Sequence, residues 1–368
     1  MRLCLVGGIF DKSREYRERH RHTPETVLAD ALESLGIEVT RFGHRIYRPS
    51  RDHDVVHVHH YGGAALRAAS QTRTPFVFTG HDLRLLNGFP VAAARRHGYR
   101  FVTDMADGLV ALSHRELALL GTRSAAPQIV RRIPNGIRSD IYRRMDVPHT
   151  GQIVALCVAQ LDPIKGIDVL LHAVALLRDL PVRVRLVYQT AAFESTYRHL
   201  AVELGIDAQV QFEGFLNPDD LVREYSAATM LVLPSRSESL PSVITEALLC
   251  GTPVIASDVG AVGEMLGPHG LVVPSGDVTA LASAIRRMSE RPRLHAAERE
   301  VLRSFALREA SIADMAQAHV QLYDEVICAG RRRRSAARRI LAIGVRTGTD
   351  LVEWRRNLAA DGRGRPGK

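Results

Sequence analysis

The chain has 368 residues, long enough for two domains that each bury a core, and its 46% apolar and 24% charged residues are the proportions of a soluble globular protein. No apolar run approaches the ~20 residues that span a bilayer, and too few apolar residues precede Gly7 for a signal-peptide core, so the expected location is the cytoplasm. The net charge of +9 belongs to the end of the chain: residues 331–368 hold twelve basic and three acidic residues, and the remainder is balanced.

From the N-terminus onward, short β-branched runs alternate with helical patterns, the signature of βαβ units and parallel sheets. Arg2–Val6 predicts a strand that runs into Gly7 and Gly8. Thr23 then caps a helix, with Pro24 in its first position and Gly36 just past its end. Further strands are predicted at Glu38–Phe42, Asp54–Val58, Phe76–Thr79, Gly108–Leu112 and Gln128–Ile133, with Ser113-His-Arg-Glu116 as a capping box. The pattern lapses between Ile141 and Gln152, which reads as a linker. It then restarts with strands at Ile153–Ala159, Val182–Tyr188, Val210–Phe212, Met230–Leu233, Val254–Ala256 and Leu271–Val273. Helices are predicted at Ile167–Leu177, at Glu194–Leu204 and after the cap Asn217, and the pattern is helical from Asp277 to about Cys328.

The expected fold is therefore α/β, two Rossmann-like doubly wound domains facing a cleft. The expected boundaries are 1–147 for the N-terminal domain, 148–305 for the second, 306–330 for a helix packing back toward the first, and 331–368 for a basic tail. Cys4, Cys157, Cys250 and Cys328 are scattered without CxxC spacing, which predicts buried free thiols rather than a disulfide framework or zinc site.

The segment with most chemical content is Leu233 to Ser257. A buried strand ends at Pro234, and a helix starts around Pro241 and stops before Gly251. Glu238 precedes that helix and Glu246 lies inside it, so its unpaired N–H groups and positive dipole end fall between two carboxylates. Eight residues of helix span ~12 Å, about the reach from a sugar ring across a diphosphate to a ribose. Taken alone, Glu238 reads as a solvated loop acid. Glu246 is flanked by Val243, Ile244, Ala247 and Leu248 and needs a partner for its carboxylate, either a ligand or an arginine.

Glu238, seven intervening residues and Glu246, followed by Ala-Leu-Leu-Cys-Gly-Thr-Pro, resemble the signature of family-4 retaining glycosyltransferases with the GT-B fold. The resemblance continues in order through Thr79-Gly-His-Asp82, Ile133-Pro-Asn-Gly-Ile137, Asp162-Pro-Ile-Lys-Gly-Ile167, Phe212-Glu-Gly-Phe215 and Gly270–Asp277. It implies that Glu238 contacts donor-sugar hydroxyls, together with the main-chain amides of Ser239 and Leu240, and that Glu246 holds the ribose hydroxyls. It implies that Lys165 neutralises the diphosphate and that the turn ending in Phe215 meets the base. His81 would lie near the anomeric centre, and Gly7 and Gly8 would let the backbone approach the reacting groups. Catalytic roles then fall to His81, Glu238 and Lys165.

The resemblance further implies a hexose-type sugar moved with retention from a nucleoside-diphosphate sugar to a glycan or lipid-linked acceptor, as in cell-envelope polysaccharide or glycolipid synthesis. It implies no cofactor, no metal and no covalent enzyme nucleophile. The chain departs from the family at three places. Gln160 occupies a donor-binding position where an arginine is usual, so phosphate binding leans on Lys165 and the helix N-terminus, or on another arginine such as Arg236. Tyr188 runs into Gln189-Thr190-Ala191 in place of a glycine-rich turn, and Pro241 stands where glycine is common.

Read as residues alone, Lys165 fits a solvated turn equally well, and His81 fits an ordinary loop histidine. Asp52-His-Asp54 has metal-motif spacing but precedes its strand. His57, His59 and His60 read as a strand end rather than a metal cluster, with no carboxylate or cysteine beside them. The arginine-rich stretch Asp11–His22 fits either a phosphate-bearing acceptor or anionic surface, or a solvated loop with internal Glu–Arg pairs. The tail, with Ile340, Leu341, Ile343 and Trp354 among its arginines, fits peripheral binding to an anionic membrane or plain disorder.

Rival functions are a UDP-sugar epimerase, a non-catalytic carbohydrate-binding relative, an NAD-dependent oxidoreductase and a nucleic-acid-binding protein. The oxidoreductase lacks G-x-G-x-x-G after the first strand, and the balanced body with 5% aromatic residues offers no surface for reading nucleic acid.

Overall fold

Twelve strands among the described residues assemble into two six-stranded sheets, and every pairing between neighbours is parallel. The structure is a computed structural model that describes residues 1–86, 90–122, 129–147, 151–290 and 294–333. It divides into one unit formed by Met1–Gly136 with the chain from Ile312 onward, and a second formed by Ile137–Ser311.

The first unit carries β1 (Arg2–Val6), β2 (Glu38–Phe42), β3 (Val55–His59), β4 (Phe76–Thr79), β5 (Gly108–Ala111) and β6 (Ile129–Arg132). Its helices are α1 (Arg14–Arg19), α2 (Pro24–Ser34), α3 (Gly63–Gln71), α4 (Ala93–Met105) and α5 (His114–Gly121). The strand order β2-β1-β3-β4-β5-β6 reverses direction between β1 and β3, which makes the carboxyl ends of those two strands the switch point where such sheets bind ligands. Side chains alternate across the sheet as the period of two requires: Cys4 and Val6 of β1 join a core with Val56, Val58, Phe76, Phe78 and the alanines of α3.

Ser113 caps α5 as expected, its hydroxyl accepting from the Glu116 amide at 3.0 Å, while the Glu116 carboxylate reaches back to the amide of Leu112. Thr23 precedes α2 as expected but makes no side-chain cap; its hydroxyl bonds to that of Thr26 at 2.9 Å.

The second unit holds β7 (Ile153–Val158), β8 (Val182–Val187), β9 (Val210–Gly214), β10 (Met230–Leu233), β11 (Val254–Ser257) and β12 (Gly270–Val273). Its helices are α6 (Ile167–Ala175), α7 (Glu194–Glu203), α8 (Pro218–Ala227), α9 (Ser242–Leu249), α10 (Val262–Leu266), α11 (Val278–Ser289) and α12 (Ala296–Glu309). The order β12-β11-β10-β7-β8-β9 is the doubly wound arrangement, with its switch point between β7 and β10. One face packs on α6, α7 and α11, the other on α8, α9 and α12. A last helix, α13 (Ile312–Arg333), belongs to the first unit and packs on α2 and β6.

The division falls at Gly136/Ile137 and Ser311/Ile312, not at the expected 147/148 and 305/306. Ile137 and Tyr142 are buried in the second unit's core, and the Ile137 amide donates to the Ala310 carbonyl at 3.1 Å. The chain has thus joined the second unit before the polar stretch begins; residues 148–150 of that stretch lie outside the described residues. The expected strand residue Gln128 and the tail beyond residue 333 also lie outside them. Cys4, Cys157 and Cys250 are buried free thiols, whereas Cys328 on α13 is exposed. Among the described residues no helix is long and apolar enough to cross a membrane.

Candidate functional site

Lys165 and Glu238, two of the residues singled out in the second unit, lie at its switch point, past the carboxyl ends of β7 and β10. After β7 the chain makes a short 3-10 turn, Pro163–Lys165, capped by the Asp162 carboxylate. After β10 it makes the loop that carries Glu238. Lys165 and Glu238, 73 positions apart, meet there: the Lys165 ammonium donates to Glu238 Oε1 at 2.7 Å, and the Ser235 hydroxyl donates to the same oxygen at 2.7 Å. The Glu238 side chain is 9% exposed and that of Lys165 25%, so the pair sits at the edge of water. Gly166 makes this approach possible. Its φ is +65°, and a Cβ there would lie 2.1 Å from the Pro234 carbonyl oxygen.

Glu246 lies in the middle of α9 and is buried. Its Oε2 accepts from the Tyr225 hydroxyl at 2.8 Å, and Tyr225 itself is fully buried on α8. Burial pushes the Glu246 carboxyl up, and hydrogen bonds from Ser242, Tyr225 and Tyr142 only partly restore it. The apolar surroundings therefore hold a carboxylate braced by phenols, not an arginine salt bridge. Tyr225 carried no sequence signal for this role, because it lies 21 positions from its partner.

Gln160 follows β7, and its side-chain carbonyl accepts from the Thr190 amide at 3.0 Å; it ties the ends of β7 and β8 together. Phe215 follows β9 and is 44% exposed. Ser239 accepts at its carbonyl from the Ala261 amide at 3.0 Å, and Leu240 is half-buried ahead of α9. Arg236 does not stand open as a substitute for the missing arginine. It forms a bidentate pair with Asp168 at 2.8 and 2.6 Å.

A second set of residues gathers at the switch point of the first unit. Gly7 and Gly8 follow β1, His59 ends β3 with His60 just after it, and His81 lies shortly after β4. A Cβ on Gly7 would lie 2.7 Å from Glu25 Cγ, whereas one on Gly8 would meet only the His44 ring, at 3.8 Å. His81 Nε2 and His59 Nδ1 are 2.9 Å apart, and the rings of His60 and His81 lie 4.4 Å apart. Among the described residues, only His60 and His81 are non-glycine residues with positive φ, at 64° and 55°. Such backbone strain persists where the surroundings over-determine it, and it concentrates at functional sites.

Glu25, in the first turn of α2, accepts from His60 at 3.2 Å and went unnoticed in the sequence, where it reads as an ordinary helix-start acid. Burial pushes its carboxyl up, but the hydrogen bond and charge of His60 outweigh this and hold it down at about 2.

His57 bonds to the Tyr323 hydroxyl and to Thr79, both at 2.7 Å, and Asp54 pairs with Arg2. Among the described residues no group of three His, Cys, Asp or Glu side chains has the placement to hold a metal ion. Burial, followed by neighbouring imidazoles, lowers the pKa of His57, His59 and His81 well below the ordinary value. In the arginine-rich stretch, Arg14 pairs with Glu18 and Arg19 with Glu15.

Residues 37–136 match the family described as "Glycosyl transferase 4-like domain", and residues 140–304 match "Glycosyl transferases group 1". D-inositol 3-phosphate glycosyltransferase 1 of Catenulispora acidiphila is 31% identical over 295 residues, covering 72% of this chain and 69% of that protein. D-inositol 3-phosphate glycosyltransferase of Corynebacterium efficiens is 32% identical, covering 69% and 68%. Sucrose-phosphate synthase from Thermosynechococcus elongatus shares the fold with a TM-score of 0.76 at 22% identity, over 89% of this chain and all of that one. The Anabaena Alr3699/HepE protein in complex with UDP-glucose does so with 0.69 at 20% identity, over 88% of this chain and 100% of that one.

The protein is a glycosyltransferase of the GT-B type. It belongs to family 4 of these enzymes, as the order of its motifs anticipated.

Proposed function

We propose that this transferase moves a sugar with retention of configuration from a nucleoside-diphosphate sugar, with UDP as the first candidate nucleotide, to a hydroxyl acceptor. The observation that carries the proposal is the placement of Lys165, Glu238 and the start of α9 around the switch point of one sheet. Departure of the nucleotide builds negative charge on phosphate and positive charge at the anomeric carbon. Lys165 and the positive N-terminal end of α9 stabilise the first. Glu238 and Glu246 accept hydrogen bonds from sugar and ribose hydroxyls.

In the transfer, the bond from the anomeric carbon to the diphosphate oxygen breaks, and a bond to the acceptor oxygen forms on the same face. The acceptor proton goes to the departing phosphate. Charge neutralisation rests on protein groups, so transfer proceeds in EDTA. The relatives' names make D-inositol 3-phosphate the first acceptor to offer, and a glycan or lipid-linked hydroxyl in cell-envelope synthesis the second.

Product NMR with UDP-glucose and other sugar nucleotides tests the proposal. It predicts an acceptor-linked product with the donor's anomeric configuration. An inverted anomer refutes retention, and an epimerised nucleotide sugar formed without acceptor establishes the epimerase instead.

A further inference from the structure

Arg236 and Asp168 occupy neither of the two carboxylate positions nor the lysine, yet they stitch the Lys165 turn to the Glu238 loop. The Arg236 amide donates to the Ile164 carbonyl at 2.7 Å. Its Nη1 donates to the Pro163 carbonyl at 2.7 Å and to Asp168 Oδ1 at 2.8 Å, and its Nη2 donates to Asp168 Oδ2 at 2.6 Å. Asp168 lies in the first turn of α6, where the dipole favours it. The guanidinium thus grips both the turn that bears Lys165 and the helix that follows it. Asp162 braces the same turn from within, accepting from the Ile164 amide at 2.9 Å.

We infer that the Arg236–Asp168 pair is a positioning device for Lys165, fixing where its ammonium can meet a diphosphate, and that Arg236 is not itself a phosphate ligand. This rests on the reading that Lys165 binds the diphosphate. A guanidinium suits the role because its planar fork holds one carboxylate and one carbonyl at fixed angles, which a lysine at the same position does not. The need is local. Lys165 stands on a short 3-10 turn followed by α6 after Gly166, and the guanidinium adds a side-chain hold on the Pro163 carbonyl and on Asp168 to the main-chain bond between the Arg236 amide and the Ile164 carbonyl.

The test is calorimetric titration of the full chain with UDP (GDP and ADP as alternatives), and saturation-transfer NMR with the matching nucleoside, which lacks phosphate. Arg236→Ala and Asp168→Asn are each expected to weaken diphosphate binding about tenfold, since losing the fixed position of one charge-assisted contact costs about that much. Nucleoside binding is expected to stay unchanged. The double variant should be no weaker than either single one, and Arg236→Ala should add nothing to Lys165→Ala, because the clamp acts through that lysine.

Loss in Arg236→Ala with full retention in Asp168→Asn makes Arg236 a direct phosphate ligand and overturns the inference. Equal loss of diphosphate and nucleoside shows a general structural role and also overturns it, as does undiminished diphosphate binding in both variants. Failure of the wild type to bind any nucleoside diphosphate instead removes the donor-site reading itself, and the inference with it.

Discussion

Replacing Glu238 with glutamine should have opposite effects on binding the nucleotide and on using the sugar. Lys165 is paired to Glu238 at 2.7 Å, so a diphosphate that recruits Lys165 must take it from that carboxylate. Hydrogen bonds to charged groups contribute ~1.5–3 kcal/mol when shielded, and exposed ion pairs ~0.2–1 kcal/mol. The Lys165 side chain is 25% exposed and that of Glu238 only 9%, which places this pair between those limits, at about 1–2 kcal/mol.

Glutamine keeps the shape and an oxygen for the Ser235 hydroxyl, but removes the charge that competes with phosphate. Glu238→Gln should therefore bind UDP roughly 5- to 30-fold more tightly than the wild type. It should also lose transfer by about a hundredfold or more, since the carboxylate no longer meets the sugar hydroxyls as charge develops. Calorimetry with UDP and UDP-glucose, beside an initial-rate assay, measures both effects. The advantage of UDP-glucose over UDP should shrink in the variant. UDP binding that is unchanged or weaker in Glu238→Gln would refute the competition between carboxylate and phosphate for Lys165.

Gly166→Ala should lower stability by at least ~2 kcal/mol, because a positive φ is combined with a Cβ 2.1 Å from the Pro234 oxygen; a melting-temperature loss of only one or two degrees would contradict this. Tyr225→Phe removes the phenol that donates to Glu246 at 2.8 Å. It should cost about 1–3 kcal/mol of stability and raise KM for the donor with little change in kcat, seen in steady-state kinetics. Stability should also fall as pH drops from about 7 toward 5. His57, His59 and His81 titrate well below their ordinary value in the folded chain, and His319 is pushed down to about 4 by burial. The unfolded chain therefore binds more protons in that window, and stability declines with falling pH. Glu116, raised to about 7 by burial, acts in the opposite sense, as do Glu246, Glu224 and Asp104, which burial also raises; His22, lowered to about 4 by burial, and His44, lowered likewise, add to the histidine side. His319→Phe should flatten the acid limb of a denaturation series by at most about 3 kcal/mol, and an unchanged slope would show that His319 does not contribute.

Much of the fold was legible because both sheets are buried on two faces, so their strands appear as compact β-branched runs such as Met230–Leu233 and Phe76–Thr79, found at the expected positions. Helices α3 and α4 were not read, although each buries one face: in α3 that face is mostly alanine, and in α4 the buried Tyr99, Val102 and Thr103 follow a run of arginines and Gly98. Candidate residues that a local pattern marks, such as Glu238 ahead of a helix and Gly7-Gly8 after a strand, were legible as candidates. Their partners were not, because each lies far along the chain. Glu25 meets His60 across 35 positions, and Asp168 meets Arg236 across 68. Such pairs follow from the winding of the sheet, not from any local propensity, and Arg236 looked available for phosphate only because Asp168 could not be placed beside it.

The most direct test of the donor site is titration of the folded wild type and of Glu246→Ala with a sugar nucleotide, UDP-glucose first. The account predicts binding by the wild type and a loss of about tenfold or more in the variant, because the ribose hydroxyls lose their carboxylate. Equal binding by both proteins would contradict the placement of the donor along α9, and no binding of any sugar nucleotide by the wild type would contradict the proposed donor chemistry as a whole.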